Sequence, residues 1–204
     1  PKTQASLLEA MEEAQVTVDG VTYKMPRPFM VLATQNPAEY LGTWPLPESQ
    51  LDRFFMKLKV GYPTAKQESR MLTNFKLDNP LEKLEAVVTP EDILDIQDQV
   101  RNVHVDESIN DYIVAIVTET RKNPAVELGV SPRGSLALYR AAQAWALCSG
   151  RDYVLPEDIA KVAQVVLGHR IVLRQEVRMK NVTAASVVSD ALERVKAPLL
   201  EKHA

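Results

Sequence analysis

Part of an α/β domain followed by an all-helical bundle is the fold class this sequence predicts, and three observations predict it. Phe29-Met30-Val31-Leu32-Ala33-Thr34 is a short unbroken apolar run, the pattern of a strand buried on both faces of a parallel sheet. After Gly61-Tyr62-Pro63 the pattern is helical almost to the end. The helix, hairpin and one or two strands before that point would bury too little apolar surface for a complete sheet domain, so further strands are expected upstream. The expected units are therefore residues 1–62, the C-terminal part of an α/β core, and residues 63–204, a helical domain.

The elements follow in order. Thr3 to Ala14 reads as a helix with Leu7, Leu8, Met11 and Ala14 on one face. Gln15 to Lys24 reads as a hairpin turning at Asp19-Gly20, which pairs Val18 with Val21 and Val16 with Tyr23. Such a ribbon is not stable alone and must lean on something or reach toward a partner. Pro47 to Phe55 reads as a short polar helix that sets Arg53 beside Asp52. Ala65 to Phe75 opens the helical part, Asn79-Pro80 breaks it, and Leu84 to Val88 has the composition of an extended piece.

Thr89-Pro90-Glu91-Asp92 starts the next helix with a capping threonine, proline at the first position and acids in the first turn. Asp106 opens another, whose Ile109, Tyr112, Ile113, Ile116 and Val117 form a regular stripe. Pro132 to about Ser149 follows, closed by Gly150, and then Pro156 to Gly168, where Leu155 is a poor cap residue. Arg170 to Lys180 is expected to hold a short extended return, and Ala184 to Val195 a last helix.

Bulk properties narrow the class. Net charge is −3 over 204 residues and mixed throughout, which disfavours an electrostatic nucleic-acid binder or a polybasic membrane patch. A single cysteine, Cys148, excludes an intramolecular disulfide and fits a reducing, cytoplasmic compartment. No apolar run approaches the ~20 residues of a membrane helix. The sequence opens at Pro1 inside a predicted helix and is read as an excerpt of a longer protein.

Three polar residues stand out. Asn36 follows the predicted strand, where open α/β sheets place ligands, although an asparagine before proline also makes a common Asx-turn. Arg53 carries a planar fork suited to phosphate, or else pairs on the surface with Asp52 or Glu48. Arg133 has an argument of its own. The helices opening at Pro90 and Pro156 put Glu-Asp in their first turn, whereas the one opening at Pro132 puts Arg133-Gly134 there. A cation at a helix N-terminus is locally unfavourable and asks for an anion, a phosphate or a nearby acid such as Glu127. His104, His169 and His203 have no metal-ligand spacing, so no metal site is expected. Cys148 and Trp145 read as packing residues of the bundle, and Trp44 as a contact to a neighbouring subunit.

Ala33-Thr34-Gln35-Asn36-Pro37 and Pro45-Leu46-Pro47-Glu48-Ser49-Gln50-Leu51-Asp52-Arg53-Phe54, with Leu7-Leu8-Glu9-Ala10-Met11 before them and Ser131-Pro132-Arg133 after, closely resemble the MoxR family of AAA+ ATPases over essentially the whole chain. The resemblance implies a fold: the C-terminal part of a P-loop NTPase sheet domain with a hairpin insert that projects toward the centre of a ring, then a helical lid. It also implies roles. Asn36 would be sensor 1, between the γ-phosphate and the attacking water. Arg53 would be the arginine finger, reaching a neighbouring subunit's nucleotide, with Arg27 as the alternative. Arg133 would be sensor 2, on the γ-phosphate of its own subunit's nucleotide.

Nothing here matches G-x-x-x-x-G-K-[ST], and the acidic strand end that would hold magnesium is absent, both lying upstream in the family. ATP and Mg²⁺ are therefore expected on the intact protein, and the chain alone is expected neither to bind nor to hydrolyse ATP appreciably. The resemblance further implies a ring, a hexamer by expectation, that couples hydrolysis to remodelling partner proteins, often ones with von Willebrand factor A domains. Two other readings stay open: a non-enzymatic helical interaction module, and a DNA-handling AAA+ protein.

Overall fold

Four helices of the C-terminal part each carry an apolar stripe, and burying those stripes against one another makes the core. They are α5 (Glu107–Lys122), α6 (Pro132–Cys148), α7 (Pro156–Leu167) and α9 (Ala184–Arg194) in the computed structural model, which describes residues 2–35, 46–74, 80–178 and 182–199. From α5 come the five stripe residues expected, Ile109, Tyr112, Ile113, Ile116 and Val117, all buried. Each such side chain is worth roughly 1.5–3 kcal/mol taken out of water. Opposite them α6 presents Ala137, Ala141, Ala142 and Ala146, small residues that let α7 approach closely with Ile159, Val162, Ala163 and Val166. Val187, Val188 and Ala191 of α9 close the bundle.

Local chemistry sets the helix ends. At α4 (Pro90–Asn102) the Thr89 side chain accepts from the Asp92 amide at 3.1 Å while Asp92 accepts from the Thr89 amide at 2.8 Å, the reciprocal cap the sequence called for. At α7 the missing cap at Leu155 is made good by Asp158, which accepts the Leu155 amide at 2.8 Å and a two-pronged ion pair from Arg151. Inside the bundle Gln143 is buried, donating to the Val103 carbonyl at 2.8 Å and accepting from Arg140.

The N-terminal part begins with α1 (Lys2–Glu13) and a hairpin of β1 (Gln15–Val18) and β2 (Val21–Lys24) in the expected register. Asp19 and Gly20 both have positive φ, 51° and 80°, as the two-residue turn requires. The ribbon leans on α1 through its polar side: the Thr17 hydroxyl donates to Glu9 at 2.7 Å. Its apolar side, with Val18, Val21 and Tyr23, is exposed. After it come α2 (Glu48–Leu51) and α3 (Ala65–Asn74), neither with a buried residue.

The structure departs from the sequence reading in four places. Phe29 to Thr34 forms no strand, and Met30 and Leu32 are exposed, because among the described residues no neighbouring strand pairs with it. Among the described residues of α1, Leu8 and Ala10 are buried and Leu7 is exposed. The return after Arg170 is extended and the stretch after Val182 helical, both as expected, but the return, β4 (Val172–Leu173), pairs antiparallel with a strand the sequence reading missed, β3 (Val126–Leu128); α8 (Gln175–Arg178) follows β4. Cys148 and Trp145 are not core: both are exposed, and Trp145 lies flat beneath the Lys161 ammonium, 5.7 Å from the ring centre. Small residues of α6 hold the inward face, which leaves the large ring to the rim. Asn36, Trp44 and His203 lie outside the described residues.

Candidate functional site

Three elements distant in sequence converge on one cluster of charges: the C-terminal end of α1, the turn after α2, and the first turn of α6. Glu12 sits between two arginines. One carboxylate oxygen forms an ion pair with Arg53 Nη1 at 2.6 Å and the other accepts a hydrogen bond from Arg133 Nη2, so a single anionic group engages both. The three side chains are between 31% and 47% exposed, which leaves this pairing open to competition from a solution anion. The cation at the start of α6 does find an acid, Glu12, and not Glu127, which is exposed on β3. Likewise Arg53 pairs with Glu12 rather than with Asp52 or Glu48.

Asp52 instead organises the backbone around the two arginines. Its Oδ2 accepts from the Ser131 hydroxyl at 2.9 Å and faces Arg133 Nη1 at 3.8 Å. Ser131 is at the cap position of α6 yet caps nothing with its side chain, since its hydroxyl is committed to Asp52. The other oxygen, Oδ1, accepts from Arg170 Nη1 at 2.6 Å.

Arg170 is the most constrained charge in the cluster, with 1% of its side chain exposed. It donates through Nη1 to the Asp52 carbonyl at 2.5 Å, through Nη2 to the Phe54 carbonyl at 2.7 Å, and through Nε to the Val166 carbonyl at 2.9 Å. Burial pulls its pKa down, and the hydrogen bond to Asp52 pulls it back up. Beside it His169 Nε2 donates to the same Phe54 carbonyl at 3.0 Å, while Nδ1 is buried without a partner. Burial therefore lowers the His169 pKa, helped by the neighbouring Arg170 and Lys57 charges. Gly134 makes room for this packing. A Cβ there would stand 2.3 Å from Val130 Cγ1 and 3.1 Å from Arg170 Cδ.

Of the residues singled out from sequence, the structure thus brings Arg53 and Arg133 together. Glu12 and Arg170 were missed. Arg170 had left a signal, a charge embedded between the apolar runs Val165-Val166-Leu167 and Ile171-Val172-Leu173, since such a charge is seldom buried unless paired. Among the described residues no group of three His, Cys, Asp or Glu side chains stands where it could hold a metal ion. What the cluster offers chemically is a two-arginine seat for one polyanion, which fits a phosphate chain and not a cation.

Comparison with known proteins places these observations. A family model described as "ATPase family associated with various cellular activities (AAA)" matches residues 1–56, and one described as "AAA lid domain" matches residues 118–191. The chain is 38% identical over 206 residues to the chaperone MoxR1 of Mycobacterium tuberculosis, covering 97% of this chain and 54% of that one. It is 30% identical over 214 residues to protein MoxR of Methylorubrum extorquens, covering 96% and 61%. It belongs to the MoxR family of AAA+ ATPases.

The chain is also 51% identical over 199 residues to protein YeaC of Bacillus subtilis, covering 98% of this chain and 62% of that one. A solved structure from Cytophaga hutchinsonii, whose protein is assigned as an ATPase, superposes with a TM-score of 0.90 at 36% identity, covering 97% of this chain and 63% of that one. This MoxR-family chain therefore spans 54–62% of the length of the three relatives. Its fold is part of an AAA+ core followed by the helical lid, as the resemblance implied. No helix among the described residues is long and apolar enough to cross a membrane.

Proposed function

We propose that this chain supplies the phosphate-sensing arginines, Arg53 as finger and Arg133 as sensor 2, to an ATP-hydrolysing ring built from copies of its parent protein. The observation that carries the reading is the shared carboxylate: Glu12 holds both guanidinium groups at once, as one phosphate group would. It also favours a variant of the expected scheme. Two arginines that meet on one anion address one nucleotide together, rather than one on each side of their own subunit. In both schemes the arginines neutralise charge on the transferring phosphoryl, a contribution of about 10³–10⁵ in rate for a finger.

The rest of the proposal rests on sequence and on the family. Asn36 serves as sensor 1; the phosphate loop and the magnesium-holding acids come from upstream of Pro1, so the chain alone turns over no ATP; and the division into core and lid falls at residues 62 and 63. The parent protein is a chaperone-like remodeller, in line with the name chaperone MoxR1 of one relative, and by the family resemblance it works in the cytoplasm as a hexameric ring with von Willebrand factor A-domain proteins among its clients. The test is Arg53→Ala and Arg133→Ala in the parent protein. A fall in kcat of about a thousand-fold, with ADP affinity and the melting transition kept, is expected. Rates within a few-fold of the parent would favour a non-enzymatic interaction module.

A further inference from the structure

We infer that Arg170 is the positioning residue of the arginine finger, and that it makes the finger a part of the lid rather than of the α/β core. The inference rests on the proposed role of Arg53 and goes beyond it by naming what aims that side chain. Arg53 lies between Asp52 and Phe54, and both of these neighbours are clamped by Arg170, one through its carboxylate and carbonyl, the other through its carbonyl. Two further bonds join the same stretch to the end of α7. His169 donates to the Phe54 carbonyl, and the Lys57 amide donates to the Val165 carbonyl at 2.8 Å.

Against these, Arg53 meets α1 through one partly exposed contact, to Glu12. The backbone under the finger is thus fastened to the bundle by a buried fork that makes four hydrogen bonds to Asp52, Phe54 and Phe55, while its tip is held to the core by an exchangeable salt bridge. The remaining oxygen of Asp52 fixes Ser131, immediately before Pro132 and Arg133. Because Arg133 stands on α6 of the same bundle, the two arginines share one frame. A rotation of the lid carries both, and a displacement of about 1 Å at a positioned group is enough to cost about 10²-fold in rate.

The test is a double-mutant cycle on kcat in the full-length parent protein, with Arg170→Lys, Arg53→Ala and their combination. Lysine keeps a charge facing Asp52 but replaces the planar fork by a point charge, so the carbonyl contacts on both sides of Arg53 cannot all be kept. Arg170→Lys is expected to lower kcat roughly 30- to 100-fold while KM for ATP stays within about three-fold. In the Arg53→Ala background the same change is expected to alter kcat by less than about three-fold, because its effect runs through Arg53. A purely structural role would lower the melting temperature in both backgrounds and multiply the two losses; that result overturns the inference. Normal kcat in a folded Arg170→Lys protein overturns it as well. If Arg53→Ala alone leaves kcat unchanged, the finger assignment fails first and takes this inference with it. Should Arg170→Lys not fold, His169→Phe takes its place in the cycle. It removes one bond to the Phe54 carbonyl and is expected to give a smaller loss, about three- to ten-fold, that again vanishes in the Arg53→Ala background.

Discussion

Replacing Glu12 by glutamine keeps the side chain's length and shape and removes the one negative charge that Arg53 and Arg133 share. The magnitude follows from the exposure of the pair. Two charges 4 Å apart at an effective dielectric of about 20 attract by about 4 kcal/mol, but most of that is offset by desolvation and side-chain ordering. For side chains about one-third to one-half exposed, each ion pair is worth about 0.2–1 kcal/mol net, so two pairs on one carboxylate come to roughly 0.5–2 kcal/mol. An anion competing with Glu12 for the same guanidinium groups gains that amount when the carboxylate is gone. At about 1.4 kcal/mol per tenfold, this is a tightening of roughly 2- to 30-fold.

The assay is a titration of the chain with inorganic triphosphate, followed by phosphorus NMR, at low and at high salt. Weak binding is expected for the unaltered chain and tighter binding for Glu12→Gln, with the difference shrinking as salt screens the exposed charges. Unchanged or weaker binding in Glu12→Gln would refute the competition, since a carboxylate that merely braced the arginines would weaken the seat when removed. The gain should also disappear when Arg53→Ala or Arg133→Ala is added.

Two further outcomes bear on the same region. Gly134→Ala drives a methyl group into Val130 and toward the Arg170 stem, and overpacking of this kind costs about 1–3 kcal/mol; urea unfolding followed by circular dichroism should show it as a lower midpoint at unchanged slope. His169 is held neutral in the folded protein, with its pKa lowered from the ordinary 6.5, so the unfolded chain binds the proton more readily. Its stabilising contribution is whole above about pH 6.5 and is lost as the pH falls toward the folded-state value; the slope of melting temperature against pH in that window should flatten in His169→Phe.

Much of this chain was legible without coordinates, because the physics involved is local. The Asp19-Gly20 turn dictates its own positive φ values and so the register of the hairpin. The reciprocal cap of Thr89 and Asp92 needs only residues three apart. The stripe of α5 follows from helical periodicity, and Arg133 announced its need for an anion by standing where its sister helices carry acids. Other features answer to partners far along the chain. Phe29 to Thr34 has the composition of a strand, but a strand is a relation to a neighbour, and among the described residues none is there. Val126–Leu128 is too short to be read before Val172–Leu173 lies against it. Nothing in the spacing says that Glu12 will lie between Arg53 and Arg133, or that Arg170 will reach back 118 positions to Asp52. Sequence alone marked Arg53 and Arg133 as residues that would seek an anion. Tertiary structure decided that both meet the same carboxylate, because only folding brings the ends of α1, α2 and α7 to the start of α6, and a buried guanidinium holds them there.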